Sequence, residues 1–198
     1  MAKTLLSMSG ADLTPNRISD SVLILIDCQN EYVTGALPLV GVDAAMEDAA
    51  IILARFRNAG APVIHIQHEG KPGGAFDLDD PRGAIDARVA PVDGEEVIRK
   101  GLPNSFAGTT LEAKLRDLGA KQLTIVGFQT HMCVSATTRA ALDLGFRNTL
   151  IASAIATRDL PNATGEGDVP AETVHQATLA ALADRFAIIA KTPNDIAD

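Results

Sequence analysis

Three residues with complementary chemistry, Asp27, Lys100 and Cys133, each stand just after a strand-like run. Asp27 closes "VLILID", Lys100 closes "EEVIRK", and Cys133 follows "LTIVGFQTHM". A carboxylate placed directly after a wholly apolar run is costly unless it is paired or used. A thiol at the start of a helix feels the positive end of the helix dipole, and a nearby ammonium lowers its pKa further. A carboxylate in the same pocket can accept the thiol proton and later return it to a leaving group. The three together suffice for nucleophilic acyl transfer without a histidine. Singly, each has a plainer reading. A lone cysteine in a helix is ordinarily an inert small hydrophobe, Asp27 alone could cap a turn, and Lys100 alone could be a solvated charge.

Strands and helices must alternate to bring these residues together, and the sequence has that order. "SVLILIDCQ" (21–29) is a nearly continuous β-branched and leucine run, the pattern of a parallel strand covered on both faces. "VDAAMEDAAIILARFRNAG" (42–60) has apolar residues at helical spacing and ends at Gly60. "PVIHIQHE" (62–69), "EEVIRK" (95–100), "QLTIVGF" (122–128), "NTLIASAI" (148–155) and "FAIIAKT" (186–192) read as strands. "LEAKLRDLGA" (111–120), "MCVSATTRAALDLG" (132–145) and "AETVHQATLAALAD" (171–184) read as helices. Such alternation with short turns predicts parallel βαβ units and a three-layer α/β/α sandwich. In an open parallel sheet ligands bind beyond the carboxyl ends of the strands, where Asp27, Lys100 and Cys133 are all expected. The one long irregular segment, 70–94, is of a length that usually serves as a lid or an interface arm.

The bulk composition narrows the classes. The 198 residues suffice for one domain, expected to span 1–198. Lys+Arg 17 against Asp+Glu 25 gives a net charge of −8, which argues against nucleic acid or an anionic membrane as partner. No apolar stretch approaches the roughly 20 residues of a membrane span, and the apolar part of "MAKTLLSMSGADLTPNR" is too short for a signal peptide. Two cysteines make no disulfide framework, so a cytoplasmic location is expected. "GFQTHM" is neither a dinucleotide fingerprint nor a phosphate loop.

The pieces "LILIDCQNEYV" (23–33), "RKGLPNSFAGTTLEAKLRDLGAKQLTIVGFQTHMCVSATTRAALDLGF" (99–146) and "IATRDLP" (155–161) resemble, in order, the isochorismatase-like superfamily of cysteine hydrolases. The resemblance implies a Rossmann-like fold with a six-stranded parallel sheet, often assembled as a homodimer or larger homo-oligomer. It implies Asp27 as general base, Lys100 as charge-stabilising partner and Cys133 as nucleophile. Tyr32 falls where the family places an aromatic against the substrate, and Phe106, Phe128, Gln129 and Thr130 are expected to help shape the pocket. A cis peptide is implied between Phe128 and Gln129, with backbone N–H groups of Gln129 and Cys133 forming an oxyanion hole.

The sequence also departs from the family. Nicotinamidases carry an Asp-x-His plus His metal site after the second strand, whereas this region reads "VIHIQHEGKPGG". His65 and His68, three apart on a strand, point to opposite faces and make a poor ligand pair. No metal and no cofactor is therefore expected. The family's frequent Asp-Ala after the fifth strand is Ser153–Ala154 here. Isochorismatases proper, which cleave a vinyl ether, lack the cysteine nucleophile, so Cys133 favours hydrolysis of a C–N bond in a small molecule. Vinyl-ether hydrolysis with Asp27 as acid stays open, as does a non-enzymatic binding or redox-sensing role.

Overall fold

Strand β1 (Val22–Ile26) is buried along its whole length and ends where the chain turns at Asp27, whose φ is positive. It is followed by α2 (Val42–Asn58), β2 (Val63–His68), β3 (Glu96–Lys100), α3 (Leu111–Asp117) and β4 (Gln122–Phe128). A π-helical turn, Thr130–Val134, then runs straight into α4 (Ser135–Asp143). The chain continues through β5 (Arg147–Ala156), a short antiparallel pair of two-residue strands, β6 (Leu160–Pro161) and β7 (Asp168–Val169), then α5 (Ala171–Arg185) and β8 (Ile188–Ala190). A single helical turn, α1 (Leu5–Met8), precedes them all. The structure is a computed structural model and describes residues 2–198.

Six strands form one sheet in the order β3-β2-β1-β4-β5-β8, and every neighbouring pair is parallel. Alternation along β1 divides the core. Leu23 and Leu25 join Met46, Leu53 and Phe56 of α2 on one face. Val22, Ile24 and Ile26 join Leu111 and Leu115 of α3, Ala141 of α4, and Leu179 and Leu182 of α5 on the other. Each large side chain so buried contributes about 1.5–3 kcal/mol. Both faces are covered, which is why β1 reads as a continuous apolar run rather than an alternating one.

The order of the strands reverses between β1 and β4, so the connections leaving these two strands diverge and open a crevice at their carboxyl ends. That crevice is where Asp27 and Cys133 emerge. The expected elements are present, with shifts at their ends. The first strand stops before Asp27, and the last is confined to Ile188–Ala190 because the chain turns at Thr192 into a capped turn, Pro193–Asp195. The helix expected from Met132 begins instead at Thr130 as the π-helical turn. Among the described residues no helix is long and apolar enough to cross a membrane.

Candidate active site

Lys100 Nζ lies at the centre of a buried cluster. It donates to Asp27 Oδ2 at 2.7 Å and to Cys133 Sγ at 3.3 Å, and it is 3.3 Å from His68 Nδ1. An ammonium has no acceptor, so Nδ1 of His68 must be the accepting nitrogen of that ring. The Asp27 and Lys100 side chains are fully excluded from solvent. The second carboxylate oxygen, Asp27 Oδ1, is buried and has no hydrogen-bond partner. Residues from three separate strand ends thus meet in one place, 73 and 33 positions apart in sequence from Lys100.

Two backbone features aim Asp27 at this place. Its φ is +51°, in the left-handed region that Asp tolerates better than most residues, and its N–H is held by Ile66 O at 2.9 Å. Beside it, Gly127 has φ +111°, and a Cβ there would stand 2.1 Å from Ile26 O. Glycine is therefore required where the end of β4 presses against the end of β1. The peptide bond that follows, Phe128–Gln129, is cis.

The stretch after Asp27 organises the walls. Cys28 turns away into the core on the α2 side. The buried Gln29 side chain accepts from His68 N at 2.8 Å and donates to His68 O at 2.9 Å and Gly83 O at 2.8 Å. This fixes the end of β2, and with it His68, against the cluster. Glu31, also fully buried, accepts from Ala36 N at 2.6 Å and Phe76 N at 3.2 Å. Phe76 then packs edge-on against both Tyr32 and His68, each ring centroid 5.0 Å away. The irregular segment 70–94 is therefore a wall of the site. Its turns at Pro81–Gly83 and Ala87–Val89 are each capped by an aspartate, Asp80 and Asp86. It is tied to the end of β1 by Asp86 N to Cys28 O at 2.9 Å.

The electrostatics correct one expectation. A thiol with a lowered pKa is expected from the sequence, yet Cys133 is pushed up to about 12. Burial is the main cause and the Asp27 charge the second, and Lys100 only partly opposes them. Burial also raises the Asp27 carboxyl above its ordinary range, again against the pull of Lys100. The thiol is accordingly neutral at rest. His68 is lowered to about 4 by burial and by Lys100, so its imidazole is neutral.

The remaining expected residues divide. Tyr32 is buried beside the cluster, burial raises its phenol, and Gln129 lies against its hydroxyl. The Gln129 side-chain oxygen is buried without a partner. Phe128 is wholly buried and supports Tyr32 edge-on at 5.8 Å, so it stands behind the pocket wall instead of lining it. Thr130 is buried and bonded through its hydroxyl to His175 Nδ1 at 2.9 Å, tying the π-helical turn to α5. Phe106 is not brought to the cluster. It stacks on Phe146 at 6.0 Å and packs with the core on the α3 and α4 side. Ser153 Oγ is buried without a partner.

His65 and His68 diverge as their spacing predicts. His65 Nε2 pairs with Glu95 at 2.8 Å, while His68 faces the cluster. Sequence spacing reveals no ligand set, but the fold gathers one. Ligand atoms of Asp27, His68 and Cys133 all lie within 4.8 Å of one another. His68, Gln29, Glu31 and Phe76 are the residues that sequence reasoning missed. The density of polar residues in "DCQNEY", directly after an apolar strand, was the available signal for two of them.

A doubly covered parallel sheet with a carboxylate, a lysine and a cysteine meeting at its switch point defines a hydrolase of the isochorismatase class. The isochorismatase domain model matches residues 21–194, and the chain belongs to that family. It is 39% identical over 175 residues to the uncharacterized isochorismatase family protein YddQ of Bacillus subtilis, covering 87% of this chain and 96% of that one. Maleamate amidohydrolase of Pseudomonas putida is 31% identical over 153 residues, covering 69% of this chain and 72% of the relative. The crystal structure of an isochorismatase from Pseudomonas putida KT2440 superposes with a TM-score of 0.94 at 40% identity, covering 99% of this chain and all of that one.

Proposed function

We propose that this hydrolase cleaves a C–N bond in a small amide, ureide or carbamoyl compound, with Cys133 as nucleophile, Asp27 as acid–base and Lys100 as the electrostatic partner. The observation that carries the reading is the bridging ammonium, with Asp27 and Cys133 on either side of it. The high thiol pKa suits this cycle, because the proton stays on sulfur until the base removes it. Asp27 takes that proton as the sulfur attacks the carbonyl carbon. The tetrahedral oxyanion is held by backbone N–H groups of Gln129 and Cys133, an arrangement that usually stabilises acyl transfer most. Asp27 then protonates the departing nitrogen, the C–N bond breaks, and a thioester remains. Water adds to the thioester as Asp27 takes its proton. The C–S bond breaks, and the proton returns to sulfur.

Two buried acceptors without partners, Asp27 Oδ1 and the Gln129 side-chain oxygen, support a substrate that carries N–H groups. A buried acceptor left unpaired costs about 1–3 kcal/mol, which a bound amide nitrogen would recover. The name of the relative maleamate amidohydrolase points to the same bond class. The cycle uses the lysine cation and no metal ion, so dialysis against a chelator is expected to leave turnover unchanged. The deciding experiment is an ammonia-release screen over small amides, ureides and carbamoyl compounds, with Cys133→Ala as the blank. Release by the native chain alone supports the reading. Equal release by Cys133→Ala, or cleavage of vinyl ethers only, removes the thiol from the mechanism.

A further inference from the structure

The ammonium of Lys100 sits where three potential metal ligands converge. Its Nζ is 2.7 Å from a carboxylate oxygen, 3.3 Å from a thiol sulfur and 3.3 Å from an imidazole nitrogen whose lone pair faces it. The three ligand atoms lie within 4.8 Å of one another. Carboxylate, imidazole and thiolate are the donors that Zn²⁺ takes in tetrahedral sites, at about 2.0–2.3 Å. To hold an ion at the Nζ position the carboxylate contact must shorten by roughly 0.6 Å, the sulfur contact by about 1 Å and the imidazole contact by about 1.2 Å. We propose that Asp27, His68 and Cys133 form a latent site for a soft divalent cation such as Zn²⁺, which the Lys100 ammonium keeps closed.

On binding, the ion takes one bond each from oxygen, nitrogen and sulfur, and the thiol proton leaves to solvent. In the native chain the ammonium must first be displaced, so the ion binds weakly and masks the thiol. Without the lysine side chain the ion has the place to itself. Ligand identity favours zinc or cobalt over magnesium or calcium, because thiolate and imidazole are poor ligands for hard cations. His68 is held for this by the Gln29 clamp on its backbone, the kind of support that orients metal ligands.

The test uses Lys100→Ala, stripped with chelator and titrated anaerobically with Co²⁺. The expected result is stoichiometric binding with a near-ultraviolet thiolate-to-cobalt charge-transfer band, at least tenfold tighter than in the native chain. Adding Cys133→Ser should abolish the band, and adding His68→Ala should weaken binding at least tenfold. A variant without the band, or a band indifferent to both added substitutions, overturns the proposal. If Lys100→Ala does not fold, the native chain decides. Zn²⁺ should protect Cys133 from iodoacetamide, and His68→Ala should raise the half-protecting concentration at least tenfold; unchanged protection overturns the proposal. Binding is read without substrate, so a failed ammonia screen and a failed metal titration are separate results.

Discussion

Lys100→Met deletes the buried cation while keeping most of its stem, and it should be destabilising in a way that depends on pH. The Nζ to Oδ2 distance of 2.7 Å, with both side chains fully excluded from solvent, gives an attraction of about 6 kcal/mol at an effective dielectric constant near 20. Desolvation of both charges offsets much of that. What the substitution exposes is the one-sided cost of leaving Asp27 buried alone, about 3–5 kcal/mol. The carboxyl is already raised by burial against the opposing pull of Lys100, and removing that pull raises it further. An unfolded aspartate titrates near 3.9. Above that pH the unfolded chain has released a proton that the folded variant still holds. Stability therefore falls by roughly 1.4 kcal/mol per pH unit until the folded-state pKa is passed. The deficit relative to the native chain should be smallest near pH 4 and widest at neutral and alkaline pH.

Urea unfolding from about pH 4 to about pH 8 measures this directly. The double variant Asp27→Asn/Lys100→Met removes both charges of the buried pair, and Asn tolerates the left-handed backbone at position 27. It should recover most of the lost stability while remaining without turnover, since replacing both members of a buried pair is often close to neutral. That outcome separates a pair kept for chemistry from one kept for stability. A Lys100→Met deficit below about 1 kcal/mol at neutral pH, the range of an exposed pair, would refute the reasoning. A deficit equal at acid and neutral pH would refute it too.

Asp27→Asn alone should lower turnover by at least ~10²–10⁴-fold, the usual loss with a general acid–base, and native turnover in that variant would exclude Asp27 as the base. Brief alkylation followed by mass spectrometry should place the label on Cys133 and leave Cys28, whose pKa burial raises further, unmodified. The rate should keep climbing through the alkaline range because Cys133 titrates at about 12, and a plateau near the free-thiol value of about 8.5 contradicts that. Gly127→Ala should cost on the order of 3 kcal/mol or more, because its Cβ would stand 2.1 Å from Ile26 O; an unchanged melting temperature would show that the end of β4 can shift.

What the sequence could and could not reveal follows from how each feature is encoded. The sheet was legible because burial on both faces writes itself as long apolar runs, and β4 ends where "QLTIVGF" ends. Asp27, Lys100 and Cys133 were legible because strand ends in a parallel sheet share one edge. His68 was not. Its role depends on Gln29 reaching across from the end of β1 to hold a neighbouring strand, a contact 39 residues long that leaves no period in the sequence. Phe76 is likewise placed by Glu31 from 45 positions away, so the 70–94 segment looks irregular although its backbone is held at several points. The thiol pKa was misjudged for a related reason. A lysine near a thiol lowers its pKa, but its net effect depends on how much water remains and which other charges are near. Here burial and Asp27 together outweigh the ammonium. Residue types therefore name the reagents, whereas burial decides which of them holds the proton at rest. If Asp27 takes the thiol proton first, as proposed above, the reactivity of Cys133 should follow the carboxylate more closely than the lysine.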